Sequence, residues 1–213
     1  MILPSTIEIL IATHNKGKIR EVNDALHSLP VKLRYLDEFS QVCPVNEVGS
    51  TYKENAILKA LGYAKQTGVC ALADDSGLEV DALAGGPGVH SARFGGESLS
   101  DHDRIQKLLQ ALSEQTGAKR GARFVCCMAL AGWQLTPGIG EAQLLTLVEA
   151  KCEGSIADKP RGENGFGYDP LFVPEGYVGT FAELPNEVKA RISHRAQALA
   201  SIRAFLTSWE RQT

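Results

Sequence analysis

Between residues 6 and 35 the spacing of apolar residues changes period twice. Thr6 to Ala12 is a short continuous apolar run, as in a buried strand. Ile19, Val22, Leu26 and Leu29 then recur at helical spacing, and Val31, Leu33 and Tyr35 alternate with polar residues. Strand, loop, helix and strand in that order commit the start of the chain to layered α/β architecture. Its 213 residues suffice for one large domain, or for two small lobes around a shared core.

Further elements follow. Thr51 and Glu54 have capping-box spacing, and Ala56, Ile57, Ala60, Leu61 and Ala64 give the next helix an apolar stripe. Val69 to Ala73 predicts a strand that stops at Asp74-Asp75-Ser76-Gly77. Ser100 and Asp103 open a third helix, carried by Ile105, Leu108, Leu109 and Leu112. Residues 122–133 and 142–153 read as two long strands joined through Thr136-Pro-Gly-Ile-Gly-Glu141, a hairpin or a near relative. Residues 160–180, rich in Gly and Pro, are predicted irregular, and a last helix uses Leu199, Ile202, Leu206 and Trp209. An early strand–helix–strand region with a later strand pair favours one mixed-sheet α/β domain over residues 1–213, elaborated as two lobes with a central cleft.

Composition removes several function classes. The net charge of −3 provides no basic face for nucleic acid. No apolar run reaches a membrane span, and the first residues lack a signal peptide's basic and apolar regions, so a cytoplasmic setting is expected. Five cysteines, two of them adjacent and none in Cys-x-x-Cys, argue against a disulfide framework or a zinc site. The histidines have no metal spacing.

Three polar clusters interrupt the apolar pattern. Thr13-His-Asn-Lys-Gly-Lys18 lies between strand and helix, where backbone N–H groups and a helix start favour an anion, although taken alone an ordinary strand-to-helix loop accounts for it better. Asp74 and Asp75 repel each other by roughly 4 kcal/mol at 4 Å and an effective dielectric near 20, so the pair is better placed beside a cation than alone. Oxygen donors shared with phosphates suit Mg²⁺, and Glu47 is a third candidate carboxylate; a plain turn and a surface Glu fit the same residues. Gly165-Phe-Gly-Tyr-Asp169 offers two aromatics for an aromatic base, with stacking worth about 1–3 kcal/mol, or a Gly-Pro loop tucking both rings into the core. Lys189, His194 and Arg195 supply donors for a phosphate or a ring carbonyl, or form a solvated basic face. Taken together the clusters suit a nucleoside polyphosphate.

The segments that carry them run in a fixed order: ATHNKGK at 12–18, YKENAILKA at 52–60, ADDSGLEVDALAGGPGVHSARFGGE at 73–97, NGFGYDPLF at 164–172 and ISHRAQAL at 192–199. In these the chain resembles the inosine triphosphate pyrophosphatase family, over almost its whole length. The resemblance implies an elongated mixed β-sheet flanked by helices, two lobes with a central cleft, and a homodimer. It implies a Mg²⁺-dependent hydrolase that removes non-standard purines from the nucleotide pool. Water attacks at the α-phosphorus of ITP, dITP or XTP, releasing a nucleoside monophosphate and pyrophosphate. Asp75 is implied as the proton acceptor, with Glu47 and Asp75, and Asp74 as a further candidate, at the metal. Thr13, His14, Asn15, Lys16, Gly17, Lys18 and Ser76 are implied at the substrate. Phe166, Gly167, Tyr168 and Asp169 are implied at base and sugar, and Lys189, His194 and Arg195 at the nucleotide. Two positions depart from the family pattern: Val48 where Thr is frequent, and Val188 where Glu is frequent.

An unperturbed Asp, with a pKa of about 3.9, is a weak base at neutral pH, so Asp75 is expected to act by positioning a polarised water. Lys18, Lys189 and Arg195 would stabilise charge on the leaving pyrophosphate. Donors aimed at a 6-oxo group mismatch the amino group of adenine, at about 1–3 kcal/mol per unpaired buried donor. Two other readings remain at this point: a pyrophosphatase for modified pyrimidine triphosphates, and a non-catalytic nucleotide-binding regulator.

Overall fold

The computed structural model describes residues 7–115, 119–133 and 141–210. Strand β1 (Ile7–Ile11) leads into helix α1 (Lys16–Leu26), and β2 (Val31–Tyr35) returns parallel to β1 with Ile9 opposite Leu33. Thr6 lies outside the described residues. Leu29 falls beyond the end of α1, because Pro30 disfavours helical backbone in the residue before it.

Helix α2 (Tyr52–Thr67) starts at the predicted capping box: Glu54 N donates to Thr51 Oγ1 at 3.1 Å, and Thr51 N donates to Glu54 Oε2 at 3.2 Å. Its Ala56, Ala60 and Ala64 are fully buried, and, against the apolar pattern, Asn55 and Lys59 are buried with them.

The acidic pair does not end its strand. β3 runs Cys70–Val80, straight through Asp74 and Asp75. Its parallel pairing with β1 spans only Ile9–Ile11 against Cys70–Leu72, so the carboxylates lie just past the carboxyl end of β1. The other neighbour carries the backbone on. β4 (Gly121–Gly132) is the neighbour of β3 in the sheet, with Gly132 against Cys70 at one end and Gly121 against Asp81 just past the other. Composition favoured a turn, but strand pairing on one side suffices to hold polar residues extended.

β5 (Gln143–Ile156) follows β4 in the sheet. Contacts at Arg123–Glu153, Cys127–Glu149 and Arg120–Ile156 advance along one strand as they recede along the other, an antiparallel course. The connection at 134–140 lies outside the described residues. Within the segment expected to be irregular, a short strand β6 (Phe172–Pro174) pairs antiparallel with β5. The six strands form one mixed sheet ordered β2-β1-β3-β4-β5-β6. Helix α3 (Asp101–Ser113) is capped by Ser100, whose Oγ accepts from Asp103 N at 3.2 Å, and α4 (Asn186–Ile192) and α5 (His194–Glu210) close the chain.

The chain divides into two compact units. The first comprises the chain as far as Asp75, with Cys127–Glu149 and the residues from Ala198 onward; the second comprises Ser76–Cys126 and Ala150–Gln197. In the second, Leu78, Leu108, Phe124, Ile156, Phe172 and Phe181 belong to one buried apolar cluster, with the Phe124 and Phe172 rings 4.6 Å apart. Cys70, Cys126, Cys127 and Cys152 are buried free thiols and Cys43 is exposed. Burial pushes Cys127 up to about 12 and Cys152 up to about 11, which keeps both thiols protonated at neutral pH. No helix among the described residues is long and apolar enough to cross a membrane.

Candidate active site

In the first unit the loop after β1 is organised by its own side chains. Asn15 caps α1, its Oδ1 accepting from Gly17 N at 2.9 Å and Lys18 N at 3.1 Å. Thr13 Oγ1 accepts from Asn15 N at 3.1 Å. The backbone donors that the sequence offers to an anion are thus already bonded to Asn15. His14 and Lys16 are exposed, His14 lying 3.4 Å from Asp37. Lys18 turns the other way and forms an ion pair with Asp74, its side chain 17% and that of Asp74 5% exposed.

A second cation completes the cluster. Lys59 Nζ donates to Glu47 Oε2 at 2.9 Å, Asp75 Oδ1 at 3.1 Å and the Asp74 carbonyl at 2.8 Å. One turn back on α2, Asn55 donates from Nδ2 to Asp75 Oδ2 at 3.3 Å and accepts from Gly49 N at 2.8 Å. Val48 is almost fully exposed, so the substituted side chain next to Glu47 takes no part. Sequence reasoning passed over both Asn55 and Lys59. The signal was present, as two polar residues four apart inside an alanine stripe, where a buried Lys needs a partner.

Burial raises Asp75 to about 6, against the pull of Lys59 and Lys18 and with the help of Glu47. Glu47 is pushed up by its partial burial, yet Lys59 outweighs this and holds it below the usual carboxylate value. For Lys59 the burial that would lower its pKa is outweighed by Asp75 and Glu47, which raise it. Three carboxylates face two lysines, leaving a local excess of negative charge.

This donor set fits a hard divalent cation. Its anionic donors are carboxylate oxygens alone, and among the described residues no three His, Cys, Asp or Glu residues are grouped so as to hold a metal ion by themselves. An ion that takes one or two protein carboxylates, then phosphate and water, matches two clustered acids better than one needing an all-protein shell.

The second unit holds the other candidates. Lys189 Nζ is 2.6 Å from Asp169 Oδ2 and 4.6 Å above the Phe166 ring. Arg195 stands 5.7 Å from the same ring and donates to Ser76 Oγ at 2.7 Å. Half-buried Phe166 is therefore held under two cations. The loop that carries it is tightly bonded: Phe166 N donates to Asp169 Oδ2 at 2.8 Å, and Gly167 N to Asp101 Oδ2 at 2.8 Å. At Gly165, with φ +80°, a Cβ would lie 2.0 Å from Asp169 Oδ2, so only glycine admits this closure. Tyr168 points inward, 5% exposed, with its hydroxyl donating to the Ser91 carbonyl at 3.0 Å. His194 is also buried, stacked on Phe124 at 4.7 Å. His194 and Arg195 begin α5 rather than precede it, and Lys189 is on α4.

The Ham1 family model matches residues 9–205. A dITP/XTP pyrophosphatase of Bacillus anthracis is 43% identical over 202 residues, 95% of this chain and 97% of that protein. A dITP/XTP pyrophosphatase of Syntrophobacter fumaroxidans is 48% identical over 194 residues, 91% of this chain and 79% of that protein. The solved structure of a HAM1 protein from Coxiella burnetii superposes with a TM-score of 0.82 at 42% identity, covering 95% of this chain and all of that one. Fold, order of motifs and near-complete coverage agree, and the chain belongs to the Ham1 family.

Proposed function

We propose that this chain is a nucleoside triphosphate pyrophosphatase acting on dITP, ITP and XTP as one catalytic domain. The observation that carries the reading is Asp75, a buried carboxylate on β3 with its pKa raised to about 6 and Glu47 and Lys59 at its side. A carboxylate raised towards neutrality accepts a proton from water more readily than an unperturbed one. In the reaction a water oxygen bonds to the α-phosphorus, the bond from that phosphorus to the bridging oxygen breaks, and pyrophosphate leaves with the electron pair. Asp75 takes the water proton.

Lys18 is the phosphate ligand of this reading, exchanging its pair with Asp74 for the substrate, and Thr13 and Asn15 keep the loop in shape. A Mg²⁺ ion at Glu47 and Asp75 would supply charge neutralisation for the phosphates and polarise the water. Base recognition in this reading falls to Phe166, whose half-buried ring offers stacking, and to Lys189 and Arg195, which offer donors that suit a 6-oxo purine. Tyr168 and His194 support this surface from beneath rather than touching substrate. The reading also carries a cytoplasmic setting, where the nucleotide pool is kept, and a homodimer.

The test is product identity. Purified protein with Mg²⁺ and ITP, dITP or XTP is expected to release the monophosphate and pyrophosphate, with ATP and GTP turned over far more slowly. Release of IDP and orthophosphate would overturn the assignment of the α-phosphorus.

A further inference from the structure

The amide of Asn55 bridges Asp75, one of the two carboxylates that the proposed function places at the metal, and the backbone of Gly49, two residues beyond the other, Glu47. It is 1% exposed, and both ends of the amide are bonded. Its orientation is fixed by its partners, since a backbone N–H only donates and an ionised carboxylate only accepts. Oδ1 must therefore face Gly49 N and Nδ2 must face Asp75.

Two consequences follow from the distances. Asp75 is held at both oxygens by residues one helical turn apart, Oδ1 by Lys59 at 3.1 Å and Oδ2 by Asn55 at 3.3 Å. The Glu47 segment, a stretch without regular structure of its own, is held at its side chain by Lys59 and at its backbone by Asn55, through Gly49. The approach at Gly49 is close: a Cβ there would lie 2.7 Å from Asn55 Oδ1 and 2.6 Å from Glu54 Cβ. Asn55 adds no charge, so it orients Asp75 without the stabilisation of the ionised form that another lysine would bring.

We infer that Asn55 is the positioning residue of the metal pair, setting Asp75 directly and Glu47 through the backbone of Gly49. The inference rests on the pyrophosphatase reading only in taking these two carboxylates as the metal ligands. Both ends of the Asn55 amide are taken by protein groups, so it acts through Asp75 and Gly49. Its work is to keep a strand carboxylate and a loop carboxylate at one fixed separation, which α2 supplies because it is anchored by its capping box and its buried alanine stripe.

The test uses the full chain and Mn²⁺ alone, with free Mn²⁺ counted by its electron paramagnetic resonance signal. Asn55→Ala is expected to weaken Mn²⁺ binding by about tenfold or more, the usual effect of removing a group that orients metal ligands. KM for dITP at saturating metal should change less than about twofold, since Asn55 does not meet the nucleotide. Gly49→Ala attacks the same joint from the loop side and should weaken Mn²⁺ similarly; it also reads the inference should Asn55→Ala fail to fold. The double variant should bind Mn²⁺ no worse than the weaker single variant, because both break one coupling. A folded Asn55→Ala protein with unchanged Mn²⁺ affinity would overturn the inference, as would losses that simply add. Wild-type protein that binds no Mn²⁺ would instead remove the metal assignment itself, and the inference with it.

Discussion

Lys59 and Asp75 form an ion pair 3.1 Å long in which each side chain is only 10% exposed. An ammonium so placed is tolerable only because Asp75, Glu47 and the Asp74 carbonyl surround it. Removing one partner of such a pair costs more than the pair contributes, because the other is left buried and uncompensated.

Lys59→Met is therefore expected to destabilise the protein by about 3–5 kcal/mol at pH 8. The direction with pH follows from Asp75. Without Lys59, burial raises its folded pKa further above the ordinary carboxylate value. Stability linked to a raised pKa is fully present below the unfolded pKa and is lost as pH rises through the folded one. The deficit should therefore shrink towards pH 5. Urea unfolding at the two pH values measures it, and an equal deficit at both would remove Asp75 as the cause.

The pH profile of hydrolysis should report the same carboxylate. With Asp75 at about 6 in the metal-free protein, its proton-accepting form disappears as pH falls through that value. A divalent cation favours the ionised form, so raising Mg²⁺ should move the acid limb of kcat/KM to lower pH. Initial rates across pH 5–8 at two Mg²⁺ concentrations would show it; a limb indifferent to Mg²⁺ would separate Asp75 from the metal.

Asp75→Asn keeps size and shape and removes the proton acceptor of the proposed reaction. A fall in kcat of about 100-fold or more is expected, with an unchanged far-ultraviolet circular dichroism spectrum. Near-normal turnover would remove Asp75 from the chemistry.

Asp101 offers a prediction for the surface proposed to take the nucleobase. Its Oδ2 accepts from Gly167 N at 2.8 Å and its Oδ1 from Arg104 at 3.2 Å, tying the loop that bears Phe166 to the start of α3. Asp101→Ala should raise KM for dITP by about three- to tenfold with little change in kcat, corresponding to one hydrogen bond of about 1 kcal/mol. Asp101→Asn, which keeps an acceptor, should recover most of the loss. A drop confined to kcat would show that the loop does not serve binding.

How far the sequence revealed this arrangement depends on what each residue competes against. Thr51, Glu54, Ser100 and Asp103 declared two helix starts correctly because capping is local. Asp74 and Asp75 were legible as a polar interruption but not as strand. Their conformation is set by pairing with β4, about fifty residues further along the chain. Lys59 was hidden by its long aliphatic stem among alanines, and the partners that hold it lie in a loop and in a strand. Tyr168 and Phe166 looked equivalent as a pair of aromatics between glycines, yet one ring turns into the core and the other lies beneath Lys189 and Arg195. Such a choice depends on the three-dimensional neighbourhood alone.

The distribution of thiols gives the protein a chemical handle. Cys43 is the single exposed cysteine of five, four residues ahead of Glu47, and both polar atoms of its backbone are held by Gln66, at 2.7 and 3.1 Å. A maleimide dye or a spin label would attach there alone, without any cysteine having to be removed first. Anchored through that backbone to α2, the label would report on the surroundings of the Glu47 segment as cation and nucleotide are mixed in.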